Sequence, residues 1–191
     1  MPTTATHKAS GQKSAAKPNA KPSAKRTSSA SSSSRGEADA IKLLTTDHKE
    51  VKALFKEYEK LVKKEAGDEE KQAIAQQICT MLTVHATIEE EIFYPAAREA
   101  IKEEDLVDEA TVEHATAKDL IAQIEGMSPG EELYDAKVTV LGEYIEHHVQ
   151  EEEKELFVQV KKTDLDLVEL GSEMATRKEE LLAELGEETE A

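Results

Sequence analysis

The chain has 191 residues, of which 38% are hydrophobic, 4% aromatic and 34% charged, with no tryptophan and a formal net charge of -17. That mix suits long amphipathic helices better than a β-sandwich, which needs more Val, Tyr, Phe and Thr in alternation. No run approaches the roughly 18 apolar residues of a membrane span. The first residues form no apolar signal segment, and the single cysteine, Cys79, excludes an internal disulfide framework. Both features fit a reducing, cytoplasmic setting with no membrane partner.

Residues 1–36 contain Lys8, Lys13, Lys17, Lys21, Lys25, Arg26 and Arg35 and no acid. They are built from Ser, Ala, Lys, Pro and Thr and cannot bury enough surface to offset chain entropy, so they read as a disordered basic tail. The acid excess therefore rests on residues 37–191, a body that repels nucleic acid and anionic lipid. Only the tail offers nucleic acid a contact, and no aromatics are interleaved with its lysines.

The spacing predicts a first helix over about 37–64, with a seam of Ile41, Leu44, Val51, Phe55, Tyr58 and Val62 and with His48 inside that seam. Ala66-Gly67-Asp68 is the turn. A second helix over about 69–102 carries Ile74, Ile78, Met81, His85, Ile88 and Ile92, with Glu89 beside them. Pro95 is expected to kink or end it. Cys79 lies off the histidine's face and reads as a small packed residue. A third helix over about 104–125 carries Val107, Ala110, His114, Ala117, Ile121 and Ile124. After the break at 126–130, Ser128-Pro129 reads as the start of a fourth helix over about 131–161. Its seam is Tyr134, Val138, Leu141, Ile145, His148, Glu152 and Leu156, which turns His147 outward. A last helix over about 164–185 carries Leu165, Val168, Met174, Leu181, Leu182 and Leu185. It suits either a fifth helix on the bundle or self-association.

The first two helices resemble the next two. Asp47-His48 matches Glu113-His114, and Leu54 matches Leu120. His85-Ala86-Thr87-Ile88-Glu89 matches His148-Val149-Gln150-Glu151-Glu152, and Phe93-Tyr94 matches Leu156-Phe157. In each HxxxE unit the histidine and glutamate lie one turn apart on one helix face. Two such hairpins packed together make an all-α four-helix bundle with polar side chains from every helix at one level. Burying four imidazoles and two carboxylates uncompensated would cost many kcal/mol, and a metal offsets that cost. Imidazole with carboxylate suits iron, zinc, manganese or copper, and the absence of thiolates argues against a structural zinc cage. The set is too large for one tetrahedral ion and natural for two: His48 and His85 on one, His114 and His148 on the other, Glu89 and Glu152 bridging. Positions remain for an oxo or hydroxo bridge and a small ligand, which on iron means O2, peroxide or nitric oxide chemistry.

Over about residues 38–160 these motifs resemble the hemerythrin HHE cation-binding domains, on Thr46-Asp47-His48, His85 to Pro95, Glu113-His114 and His148 to Glu152. The resemblance implies an up-down-up-down hemerythrin-like bundle around two non-heme, oxo- or hydroxo-bridged iron ions, with zinc or manganese the weaker fit. It also implies O2 binding, iron or oxygen sensing, or peroxide handling. Oxygen-carrying hemerythrins place a further histidine one turn after the third-helix ligand, where this chain has Lys118. That departure argues against reversible O2 carriage and opens the site to peroxide. Glu113, His147 or Lys118 could serve the site in the histidine's place, Lys118 by aiming its cation at a bound anion.

The organisation expected is a tail over 1–36, an HHE bundle over 37–162 and a C-terminal helix with a short tail over 163–191. The leading function is a di-iron protein that binds O2 or reacts with O2 or peroxide. The alternative is a non-enzymatic iron- or oxygen-sensing module acting through a protein partner, and a third reading is a plain helical scaffold. No acid–base group beyond the ligands is legible, which leaves peroxidase- or catalase-like activity open.

Overall fold

The computed structural model describes residues 39–103 and 105–189, so the tail read over 1–36 lies outside the described residues. Seven α-helices and two π-helical turns make up the described chain, with no strand among these residues. They are α1 (Ala40–Lys63), α2 (Asp68–Ile88), a first π turn (Glu89–Phe93) and α3 (Tyr94–Ala100). Then come α4 (Asp105–Glu125), α5 (Tyr134–Glu151), a second π turn (Glu152–Leu156), α6 (Phe157–Val160) and α7 (Leu167–Thr189). α1 packs on α2 and α5, and α4 packs on α5 and α2, which closes the ring of four.

Local signals set the helix ends. Asp39 caps α1 by accepting the Lys42 N–H at 2.8 Å. The C-terminus closes with Ala66 N–H donating to the Leu61 carbonyl and Glu65 N–H to that of Val62. This double bond pattern is a Schellman motif, and it forces Glu65 to a φ of 53°. Asp68, Glu69 and Glu70 then fill the first turn of α2, where carboxylates complement the helix dipole.

Three expectations need correction. The second helix, expected over about 69–102 with a kink or end at Pro95, is instead interrupted at Glu89–Phe93 and stops at Ala100. The π turn precedes Pro95, which sits in the first turn of α3, where its missing donor costs least. The fourth helix begins at Tyr134 rather than Glu131. Ser128 and Glu131 close a separate turn, and Leu133 at a φ of 78° interrupts the path into the helix. The last helix starts at Leu167, after Asp166 accepts the N–H groups of Val168 and Glu169. It packs on α1, α2 and the first π turn, the fifth-helix alternative, with Met174 fully buried.

The apolar core divides into two clusters. One, around Leu44, Ile88, Phe93, Phe157 and Met174, fills the end holding α3, α6 and the start of α7. The other, around Tyr58, Ile78, Ile121, Leu141 and Ile145, fills the end holding the α1–α2 and α4–α5 turns. Between them lies a layer of buried polar groups: His48, His85, Glu89, His114, His148 and Glu152. Cys79 is buried in the second cluster, and burial, with Glu125 nearby, pushes its thiol up to about 12, so it behaves as a small packed residue.

The left-handed backbone of Glu65 is strained for a residue with a Cβ. Glu65→Gly is expected to stabilise the fold by about 0.5–1 kcal/mol in denaturant unfolding, the relief of strain outweighing the entropy glycine adds to the unfolded chain.

Candidate metal centre

All six residues singled out from the sequence meet in the polar layer. The Nε2 atoms of His48 and His85 lie 3.2 Å apart, and so do those of His114 and His148. Glu89 Oε2 stands between the pairs, 3.2 Å from His85 Nε2 and 3.4 Å from His114 Nε2. Glu152 Oε2 lies 3.2 Å from His48 Nε2. The ligand atoms fall into two groups that share Glu89: His48, His85, Glu89 and Glu152 in one, Glu89, His114 and His148 in the other, each within 4.8 Å.

The outer ring nitrogens explain how the imidazoles are aimed. His48 Nδ1 meets Glu153 at 2.9 Å, His85 Nδ1 meets Asp47 at 3.3 Å, His114 Nδ1 meets Glu90 at 3.0 Å and His148 Nδ1 meets Glu113 at 2.8 Å. An ionised carboxylate only accepts, so each Nδ1 carries the hydrogen and each Nε2 lone pair faces inward. The pattern obeys the internal repeat. The residue after each inner glutamate, Glu90 or Glu153, orients the histidine of the other hairpin's first helix. The residue before that histidine, Asp47 or Glu113, orients the HxxxE histidine of its own hairpin.

The π turns add a further group. Tyr94 N–H bonds to the Glu89 carbonyl and Phe157 N–H to that of Glu152, five residues back in both cases. In a regular α-helix the fifth residue points to the far flank; the wider turn returns it to the same face. Tyr94 therefore enters the centre, its hydroxyl 3.2 Å from His114 Nε2 and donating to Glu152 Oε1 at 3.3 Å. The matching residue, Phe157, stacks on His48 with ring centroids 5.9 Å apart. The two positions therefore have different neighbours.

A cavity of about 20 Å³ adjoins all four histidines, walled by Val51, Leu82, Ile121, Ile145 and Val149. It holds about one water-sized species. Lys118 reaches its edge but turns its ammonium to Glu90 at 2.6 Å, away from the centre. His147 is exposed and pairs with Glu151 at 3.3 Å, and with Glu113 it forms a surface group of metal-ligating atoms apart from the buried ones. A larger cavity, about 700 Å³ between α2, α4 and the end of α7, is lined by no histidine.

The Hemerythrin HHE cation binding domain model matches residues 39–160. The chain belongs to the hemerythrin HHE cation-binding domain family. A crystal structure of a hemerythrin HHE cation binding domain-containing protein from Mycobacterium kansasii is similar over 75% of this chain and 86% of that one, at 28% identity and a TM-score of 0.62. A DNA nickase from Nostoc sp. is 31% identical over 130 residues, 68% of this chain and 35% of that protein. The chain thus spans about a third of the nickase's length.

Cation binding by an HHE domain fits an observation made on these residues alone. Glu89 Oε1 and Oε2 and Glu152 Oε2 are buried with no hydrogen-bond partner. Glu89 Oε2 and Glu152 Oε2 face Nε2 lone pairs, so acceptor faces acceptor across about 3 Å, which only a cation or added protons can hold together. Without a metal, protons take that role. Burial works against charge on His85, but Glu89, Asp47 and Glu152 outweigh it and push the imidazole up to about 10. Burial likewise opposes ionisation of Glu89, and the facing His85 and His114 hold it well below the usual carboxylate range.

A raised histidine stabilises the fold fully below its ordinary value of 6.5, and that contribution is lost as pH rises towards about 10. The thermal midpoint of the metal-free protein is therefore expected to fall across that range. His85→Gln is expected to flatten the profile, and saturating metal to remove the fall, since metal binding needs the neutral imidazole.

Proposed function

We propose that this HHE bundle is a non-heme di-iron protein whose centre binds O2 or reacts with O2 or peroxide. The observation that carries the reading is the pair of ligand groups sharing Glu89, with orphaned carboxylate oxygens between inward-facing Nε2 atoms. His48, His85 and Glu152 would hold one ion and His114 and His148 the other, with Glu89 available to both. Imidazole with carboxylate is a donor set suited to iron and other first-row ions. The set leaves coordination positions free, and the small apolar cavity beside the histidines, with room for about one water-sized species, suits a small ligand. Bound iron supplies redox chemistry towards such a ligand.

Tyr94 serves the side where a fifth histidine is missing. Lys118 occupies that sequence position and is engaged by Glu90, while the Tyr94 hydroxyl lies 3.2 Å from His114 Nε2. Its phenolic oxygen is a candidate seventh protein ligand, for the His114/His148 ion. The rest of the chain orients and shields. Asp47, Glu90, Glu113 and Glu153 fix the four rings, and the apolar wall excludes bulk water. The match to the Nostoc nickase covers 35% of that protein, and DNA nicking forms no part of the proposal.

The test uses untagged full-length protein purified without chelator. It is expected to carry about two irons per chain and to consume peroxide. Glu89→Ala is expected to lose at least one iron and to lower peroxide consumption by about 100-fold or more. Retention of both irons and of the full rate would overturn the ligand assignment. Tyr94→Phe is expected to keep both irons and to shift the visible absorption; an unchanged spectrum would remove the phenol from the centre.

A further inference from the structure

Helix α7 lies outside residues 39–160, the stretch that matches the family, yet it reaches the centre by a short relay. Lys178 Nζ donates to Asp47 Oδ1 at 2.5 Å. The other oxygen of the same carboxylate, Oδ2, accepts from His85 Nδ1 at 3.3 Å, and His85 Nε2 faces inward. Asp47 is buried and Lys178 is one quarter exposed, so the contact is largely shielded from water. One residue earlier, Arg177 grips Glu91 through two nitrogens, Nε to Oε2 at 2.7 Å and Nη2 to Oε1 at 3.4 Å. Glu91 belongs to the π turn that carries Glu89. Met174, one turn before Lys178, anchors the helix in the apolar cluster beneath the centre.

The repeat supplies an internal control. Glu113 holds the place of Asp47 in the second hairpin, and it faces His148 and His147 where Asp47 faces His85 and Lys178. The relay from α7 thus runs to the His48/His85 side.

We infer that Lys178 is a positioning residue for His85, acting through Asp47, and that docking of α7 and occupation of the His48/His85 metal position support each other. A carboxylate shared between an ammonium and an imidazole is held in one rotamer, which fixes the ring it orients. If docking of α7 strengthens that metal position, occupation of the position must strengthen the docking by the same factor. The inference rests on the di-metal reading of the centre.

Full-length protein is titrated with ferrous iron against a competing chelator, and amide exchange along α7 is followed with and without iron. Wild-type protein that fails to bind about two irons refutes the di-metal reading itself. Given two irons, Lys178→Met is expected to weaken one by about 10–100-fold and leave the other unchanged. Lys178→Arg is expected to restore most of the loss, which a merely structural role for the stem would not require. Iron is expected to slow exchange along α7 in the wild type and to do so much less in Lys178→Met. Wild-type affinity at both irons in Lys178→Met, or equal weakening of both, overturns the positioning role. Should Lys178→Met fail to fold, the wild type still decides: α7 exchange that ignores iron overturns the coupling.

Discussion

Four imidazole lone pairs and three unpartnered carboxylate oxygens face one another inside an otherwise apolar bundle. All are acceptors, and at about 3 Å in a dry interior they repel unless positive charge lies among them. The surrounding architecture serves that arrangement. The two apolar clusters above and below keep water out of the layer. The carboxylates on the four Nδ1 atoms prevent the rings from turning their lone pairs away. The same carboxylates fix the tautomer that a cation needs.

The chain builds this centre twice over and then breaks the symmetry. Each hairpin contributes a histidine from its first helix, an HxxxE pair from its second, a π turn at the glutamate, and two acidic residues, one before its first-helix histidine and one after its inner glutamate. The halves differ in the residue just past each π turn. Tyr94 brings a hydroxyl to His114, whereas Phe157 brings an apolar ring to His48. They differ again on the outside, where Lys118 holds Glu90 and Lys178 of α7 holds Asp47. The repeated histidines and glutamates thus have unequal surroundings, which on the proposed di-metal reading would make the two positions chemically different.

Much of this is legible in the sequence, for a physical reason with a clear limit. The seams of His48, His85, His114 and His148 keep to the helical period, and the glutamates lie one turn beyond two of them, so counting brings all six to one level. Counting fails just past Glu89 and Glu152, where the π turns add a residue. Tyr94 is therefore visible only as part of the Phe93-Tyr94 pair. The orienting carboxylates lie one residue off the seams, and their signal is the recurrence of acid–histidine and Glu-Glu doublets in both halves. The start of α5 escapes the pattern because a left-handed Leu133 carries no composition signal. The docking of α7 depends on Lys178 meeting Asp47, 131 residues away, which no local pattern encodes.

The most direct test is anomalous diffraction at the iron edge from crystals of the iron-loaded protein. Two peaks are expected inside the polar layer, one beside the Nε2 atoms of His48 and His85 and one beside those of His114 and His148, with Glu89 between them. A single peak, or density confined to the separate Glu113, His147 and Glu151 group around the exposed His147, would contradict the di-iron centre.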